Sequence, residues 1–188
     1  MKNPFCLISS FFSLALFIYL IWPFDPKSID SFSPLPNSVR SKLSGDTVEV
    51  KNLTAYFSNH YRDFVIDYYA SEYQYFTKLP FPPFIQNYPP EEAFQVIKDQ
   101  TQSTYLMQIG YPLRGFLFVN GLEPFDKMTK EARYAGATYF VQDGQSFETK
   151  VTLRFYPTSL ISRLVLWLGI NVSVIFLYLI FKKMIIHE

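Results

Sequence analysis

The stretch "ETKVTLRFYPTSLISRLVLWLGINVSVIFLYLIFKK", residues 148–183, changes its period halfway along. In its first part the side chains alternate. Phe147, Thr149, Val151, Leu153 and Phe155 share one face, and Glu148, Lys150, Thr152, Arg154 and Tyr156 share the other. That is the pattern of a strand with an inner and an outer side. From residue 164 to residue 181 the alternation is gone, and no charged residue occurs. Eighteen residues at about 1.5 Å each make a helix of roughly 27 Å, close to the hydrocarbon thickness of a bilayer. Its backbone groups are satisfied within the helix, so lipid can surround it. Apolar residues cover all its faces, which argues against the core helix of a soluble domain. Residues 157–162 alone separate the strand from this run, so the sheet is expected close to the bilayer.

The N-terminus carries a second uncharged run, "NPFCLISSFFSLALFIYLIW", residues 3–22. A cleavable signal needs small residues before the cut. This run ends instead in Leu20, Ile21, Trp22 and Pro23, and Cys6 follows Asn-Pro-Phe rather than the small residues of a lipoprotein signal. It reads as an uncleaved anchor with Trp22 at the interface. Lys2 precedes the first span, and Lys182, Lys183 and His187 follow the second. Positive flanks mark the cytoplasmic side. Asp25 and Asp30 agree with this orientation and Arg163 opposes it. The expectation is a cell-membrane protein with two spans, both termini cytoplasmic and the central domain extracytoplasmic. Its divisions are an anchor helix at 1–22, a Pro/Ser-rich linker at 23–46, a domain at 47–158, a second transmembrane helix at 159–183 and a cytoplasmic tail at 184–188.

Composition narrows the function classes. The chain has 188 residues, a formal charge of +1 and 19% aromatic residues. With the spans removed, about 140 residues remain, enough for one domain with its own core. Acidic and basic residues nearly cancel, so nothing favours nucleic acid. The one cysteine, Cys6, lies in the first span. The domain therefore has neither a disulfide nor a thiolate metal site and must be held by packing, to which its many Phe and Tyr residues are suited.

Along the domain, residues 23–45 are rich in Pro and Ser and lack a period. Residues 48–50 suit a short strand. In residues 59–76, Tyr61, Phe64, Val65, Tyr68, Glu72 and Tyr75 fall at helical spacing, which is preferred over an alternating reading of residues 62–69. "KLPFPPFIQNYPPEE", residues 78–92, is too rich in proline for regular structure. Pro90, Glu91 and Glu92 then open a second helix, with Ala93, Phe94, Ile97, Thr101 and Tyr105 on one face and Gly110 and Pro112 at its end. "LRGFLFVNG", residues 113–121, reads as a buried strand. Asp143-Gly144 predicts a type I′ hairpin turn. The expected fold is α+β: two helices and a three- to four-stranded antiparallel sheet, between two transmembrane helices.

Catalytic chemistry is not evident. His60, Asp63 and Asp67 share a helical face and are metal-ligand types, but a solvated polar face is the simpler reading. Phosphate loops, nucleophile elbows and paired metal motifs do not occur, and Asn52-Leu53-Thr54 is a bare sequon. No enzyme activity and no cofactor is expected. Two interaction features stand out. Phe76, Phe81, Phe84 and Tyr88, interleaved with prolines, either cap the core or form a contact surface. Ser9 with Ser13, and Gly169 with Ser173, are small pairs four residues apart, beside Asn171. They suit packing of the two spans on each other or on a partner helix.

"IKDQTQSTYLMQIGYPLRGFLFVNGLEPF", residues 97–125, with "TLRFYP", residues 152–157, before "WLGINVS", residues 167–173, resembles hypothetical membrane proteins of the genome-reduced candidate bacterial phyla. The resemblance covers the second half of the chain. It implies a bacterial cell-envelope setting and names neither an activity nor a site residue. The expected function is a non-catalytic subunit or scaffold of an envelope complex. Its expected partners are membrane lipids and other membrane proteins or a second copy of itself. The competing expectation is a module that binds a lipid, glycan or peptide through the aromatic stretch.

Overall fold

The structure, a computed structural model, describes residues 4–22, 25–46, 51–97 and 103–186. The chain divides into two compact units, one of residues 1–24 and 158–188 and the other of residues 25–157.

The second unit is α+β. Its strands are β1 (Val39–Arg40), β2 (Leu53–Ser58), β3 (Phe84–Tyr88), β4 (Tyr105–Gly110), β5 (Phe116–Leu122) and β8 (Thr149–Tyr156). They form one antiparallel sheet in the order β1-β2-β8-β5-β4-β3. A separate hairpin pairs β6 (Phe140–Gln142) with β7 (Gln145–Phe147). The helices of this unit are α2 (Arg62–Thr77) and the single turn α3 (Ala93–Val96).

The register gives the sheet two apolar faces. On the inner face Val151, Leu153 and Phe155 neighbour Gly121, Val119 and Leu117, which neighbour Tyr105, Met107 and Ile109. α2 packs here through Val65, Ile66, Tyr69 and Tyr73, all buried. Of the stripe expected through Tyr61, Phe64, Val65, Tyr68, Glu72 and Tyr75, Tyr61 and Val65 are buried, while Phe64 and Tyr75 are exposed. Aromatic rings surround α2 on most sides, so their spacing alone does not point to the packed face. On the outer face Val96 and Ile97 lie against Leu106 and Phe118, while Phe140 and Phe147 lie against Phe57.

Among the described residues six strands, rather than three or four, form the sheet. Residues 105–110, expected as the end of a helix, form β4. Both faces of β4 are covered, so Leu106 is as buried as Ile109 and the alternation is hidden. Of the expected helical face, Ile97 packs on the sheet, Tyr105 belongs to β4, and Thr101 lies outside the described residues. The strand expected at residues 48–50 lies outside them too. The proline-rich stretch forms β3, because its prolines flank residues 84–88 and leave every donor within them. The stretch read as a linker is part of this unit: Ile29, Phe32 and Leu35 are buried, and the Phe32 ring meets Tyr73, Phe76 and Phe155.

The Asp143-Gly144 turn has φ 52° and 79°, and Gln142 faces Gln145 across it. These are the left-handed positions of a two-residue hairpin. Phe147 departs from the expected face. The strand bends at Glu148, so Phe147 stacks on Phe57, whose partner on β8 is Lys150 of the outer side.

The other unit contains α1 (Pro4–Ile21) and α4 (Leu160–Ile186). Leu160–Met184 is one helix long and apolar enough to cross a membrane, by length and composition. The described apolar run of α1, Leu7–Ile21, is shorter. Apart from Arg163, no described side chain of α4 is buried. Trp167 Nε1 donates to the Ser13 carbonyl at 3.0 Å and Arg163 Nη1 to the Leu20 carbonyl at 3.1 Å. Residues rising along α1 thus meet residues falling along α4, and the helices are antiparallel.

Candidate functional site

The aromatic residues singled out by sequence separate into two roles. Phe76 is half-buried and packs its ring against Phe32, so it belongs to the core. Phe81, Phe84 and Tyr88 lie in or beside β3. This strand pairs with β4 on one side and, among the described residues, ends the sheet on the other. None of its five residues is buried, and Phe84 and Ile85 are exposed apolar side chains. An edge strand of this kind presents unpaired N–H and C=O groups along its free side.

Phe84 also begins a row across the outer face. The register places Phe84 beside Gly110, Gly110 beside Phe116, and Phe116 beside Tyr156. The Phe116 and Tyr156 rings stack with centroids 5.4 Å apart, and the Arg154 guanidinium lies over Tyr156 at 5.5 Å. Gly110 has no side chain because one would meet Phe116 Cβ at 2.9 Å. Phe116 and Tyr156 were not singled out by sequence. The signal for Tyr156 was present, as the last residue of the outer side of the alternating strand.

The turn between β4 and β5 closes this end of the sheet. Arg114 pairs with Asp25 at 2.6 Å, both side chains almost fully buried, and Gly115 N–H donates to Asp25 Oδ2 at 3.4 Å. The Tyr73 hydroxyl donates to the Gly115 carbonyl. A side chain at Gly115 would meet the Tyr156 carbonyl at 3.0 Å. Asp25 and Tyr156 are therefore gathered around one turn.

At the opposite end lies a polar cleft of about 150 Å³, lined by Arg62, Asp63, Tyr105, Glu123, Lys127 and Arg133 among others. Glu123 is buried, and its carboxylate accepts the Arg62 N–H at 2.6 Å. α2 begins after Tyr61 with no side-chain cap of its own, so Glu123 caps it from the end of β5. Burial pushes the Glu123 carboxyl above its usual range, against the Arg62 hydrogen bond and the Arg133 charge. Arg133 pairs with Glu123 at 3.5 Å and with Asp126 at 3.2 Å, and Lys127 with Asp63 at 3.7 Å, while the Arg62 guanidinium lies over the Tyr105 ring at 5.7 Å and reaches Met107 Sδ at 3.4 Å. Among the described residues, neither histidine, cysteine nor serine lines the cleft. The arrangement is that of a helix cap, with Glu123 held between the Arg62 N–H and Arg133.

His60, Asp63 and Asp67 do not converge. His60 stacks on Phe64 at 4.0 Å and Asp63 faces Lys127. Among the described residues no group of three metal-ligand side chains stands together.

Between α1 and α4 runs a groove of about 710 Å³, lined by Ser9, Ser10, Ser13, Phe17, Trp167 and Asn171 among others. Phe17 and Trp167 meet edge to face at 5.1 Å. The structure thus brings Ser9, Ser13 and Asn171 to one place. The Asn171 amide donates to the carbonyl of Trp167 on its own helix at 2.7 Å. Gly169 and Ser173 do not join them. A side chain at Gly169 would meet nothing within 4 Å, and the exposed Ser173 hydroxyl donates to the Gly169 carbonyl.

Compared with protein-family models, with curated proteins and with solved structures, the chain matches none.

Proposed function

We propose that the chain is a two-span protein of the cell envelope, a non-catalytic subunit or scaffold whose central domain offers a docking edge to a protein partner. The observation that carries this reading is the free side of β3, with no buried residue and with Ile85 exposed on its inner side. A partner strand added there gains main-chain hydrogen bonds, and alternate side chains supply the specificity. Prolines at 80, 82, 83, 89 and 90 bound the edge and limit pairing to the residues between them. Purification of the full chain in mild detergent should recover a stoichiometric partner, and Ile85→Lys should release it. Recovery of this chain alone would overturn the reading.

In the same proposal both α1 and α4 cross the membrane, both termini are cytoplasmic and the domain is extracytoplasmic. Lys2, Lys182 and Lys183 support this orientation. A cysteine at Gly144, the tip of the hairpin, should react with an impermeant thiol reagent in intact spheroplasts. Labelling that requires lysis would reverse the topology.

A second reading is a binding module for a lipid, glycan or peptide. It is favoured by the exposure of Phe81 and Phe84 beside the edge. A small molecule retained by the intact chain in native mass spectrometry, with no protein partner, would select it over the first.

A further inference from the structure

We propose that the end of the sheet carrying Phe81, Phe84, Leu113, Phe116 and Tyr156 is a lipid-contacting face that rests in the headgroup region of the bilayer. The inference rests on the reading that α4 spans that bilayer. Three observations from the domain itself carry it.

The first is where the domain begins and ends. Its first residue, Asp25, is bound to Arg114 and Gly115 in the β4–β5 turn. Its last residue, Pro157, follows Tyr156, whose carbonyl stands against Gly115. Both connections toward the apolar helices therefore leave from the same end of the sheet. On the C-terminal side the tether is residues 157–159, a reach of about 10 Å at most when extended.

The second is the chemistry of that end. Phe84, Phe116 and Tyr156 form the last row of the outer face, and Phe81 packs edge to face on Tyr111 beside them at 5.6 Å. Phe81, Phe84, Leu113 and Tyr156 are exposed. Leu113 sits in the turn with φ 64°, a left-handed position that favours glycine or asparagine. A leucine there gives the tip of the turn an apolar side chain instead of a polar one. Aromatic rings, with tyrosine among them, are suited to the boundary between headgroups and acyl chains.

The third is the contrast with the other end. The surface ion pairs Lys127–Asp63, Lys130–Glu148 and Arg133–Asp126 gather where β8 starts and β5 finishes. Ion pairs thus gather at the end away from the tethers, where the exposed Met128 stands between Lys127 and Lys130 in sequence, whereas Phe81, Phe84 and Leu113 are exposed at the end that bears the tethers.

The test uses the full chain, with Cys6→Ser, in phosphatidylcholine–phosphatidylglycerol vesicles. Single cysteines at Phe84, Leu113, Lys127 and Val172 carry an environment-sensitive fluorophore. All four positions are exposed, so the label needs no repacking. One quencher is a headgroup-spin-labelled phosphatidylcholine, a second is an acyl-chain-labelled lipid, and a third is an aqueous nickel complex. The expected result is that positions 84 and 113 lose most of their emission to the headgroup quencher. Position 127 should respond only to the aqueous quencher and position 172 to the acyl-chain quencher. If 84 and 113 behave like 127 while 172 is quenched by lipid, the spanning helix stands and the inference falls. If 84 and 113 are shielded from every quencher, a second copy of the chain covers them, and the inference again falls. If 172 is not quenched by lipid, the spanning reading fails and takes the inference with it.

Discussion

Asp25 and Arg114 are 89 positions apart in the chain and form an ion pair of 2.6 Å with side chains 2% and 0% exposed. The pair fastens the first residue of the domain to the turn between β4 and β5. Its strength comes less from the attraction itself than from what its loss would leave behind. Removing one member of a buried pair strands the other charge away from water, at a cost of about 3–5 kcal/mol. Arg114→Met should therefore destabilise the domain by that order. The double variant Asp25→Leu with Arg114→Met should recover much of the loss. Urea denaturation of the full chain in mild detergent, followed by the near-ultraviolet signal of its tyrosines, measures both. Equal losses in the single and double variants would mean that the pair's charge is not what holds the turn.

Gly121 and Gly169 make opposite predictions for adding a side chain. A Cβ at Gly121 would lie 2.0 Å from the ring of the buried Tyr105, so the ring must shift to admit it. Gly121→Ala should cost about 1–3 kcal/mol or more, as overpacking does. Gly169→Leu should be neutral or slightly stabilising, since nothing stands near it and glycine is a poor helix former. Loss of stability in Gly169→Leu, measured by the same denaturation, would restore this residue to the packing surface assigned from its spacing.

The elements that were legible in the sequence are those whose surroundings differ on two sides. β8 alternates because Val151, Leu153 and Phe155 face α2 while Lys150 and Arg154 are only half-buried. The Asp143-Gly144 turn was legible because its left-handed geometry restricts residue choice. α4 was legible because its apolar side chains continue around all its faces, and apart from Arg163 none of those described is buried. What escaped was covered on both sides or fixed at long range. Leu106 and Ile109 are both fully buried on opposite faces of β4, which gives β4 the look of a helix end. Ile29, Phe32 and Leu35 sit among prolines and serines that hide their burial. Of the candidate contact residues, the aromatic stretch was visible from composition, yet Phe76 turned inward while Phe81 and Phe84 did not. The row through Phe116 and Tyr156 exists only once β3, β4, β5 and β8 are in register. The small residues of the helices were visible as well. Which of them share a groove depends on helix rotation, and that placed Ser9 and Ser13 with Asn171 but left Gly169 and Ser173 outside.

Two buried hydroxyls offer a test of the inner face. Thr54 Oγ1 and the Tyr69 hydroxyl have no hydrogen-bond partner among the described residues. Thr54 lies beside Leu153 on the inner face, and Tyr69 lies on the buried side of α2. An unpaired buried hydroxyl costs about 1–3 kcal/mol of desolvation. Thr54→Val and Tyr69→Phe keep the shape and remove the polar atom. Each should leave stability unchanged or raise it by up to about 1 kcal/mol. A marked loss in either variant would mean that its hydroxyl is hydrogen-bonded in solution, to water or to a residue outside those described.

The two carboxyls Glu148 and Glu123 should respond to pH in opposite senses. Glu148 accepts Lys130 Nζ at 2.7 and 2.9 Å and the Tyr61 hydroxyl at 2.7 Å. The Lys130 hydrogen bond, more than any other cause, holds its carboxyl below the reference value of 4.5. The unfolded chain then binds more protons than the folded one, so the stabilising contribution is present above about pH 4.5 and is lost as pH falls through the folded value. Glu123 is displaced the other way, because burial raises its carboxyl above 4.5. Its contribution is present below that pH and is lost as pH rises through the folded value. Relative to the unaltered chain, Glu148→Gln should show a deficit that grows as pH rises across the carboxylate range. Glu123→Gln should show a deficit that shrinks over the same range, as the unaltered chain meets the cost of ionising a buried acid. Denaturation curves at a series of pH values give both differences directly. Deficits that run parallel with pH would mean that at least one of these carboxyls is not displaced as its surroundings dictate, and curves that cross in the opposite order would reverse both assignments.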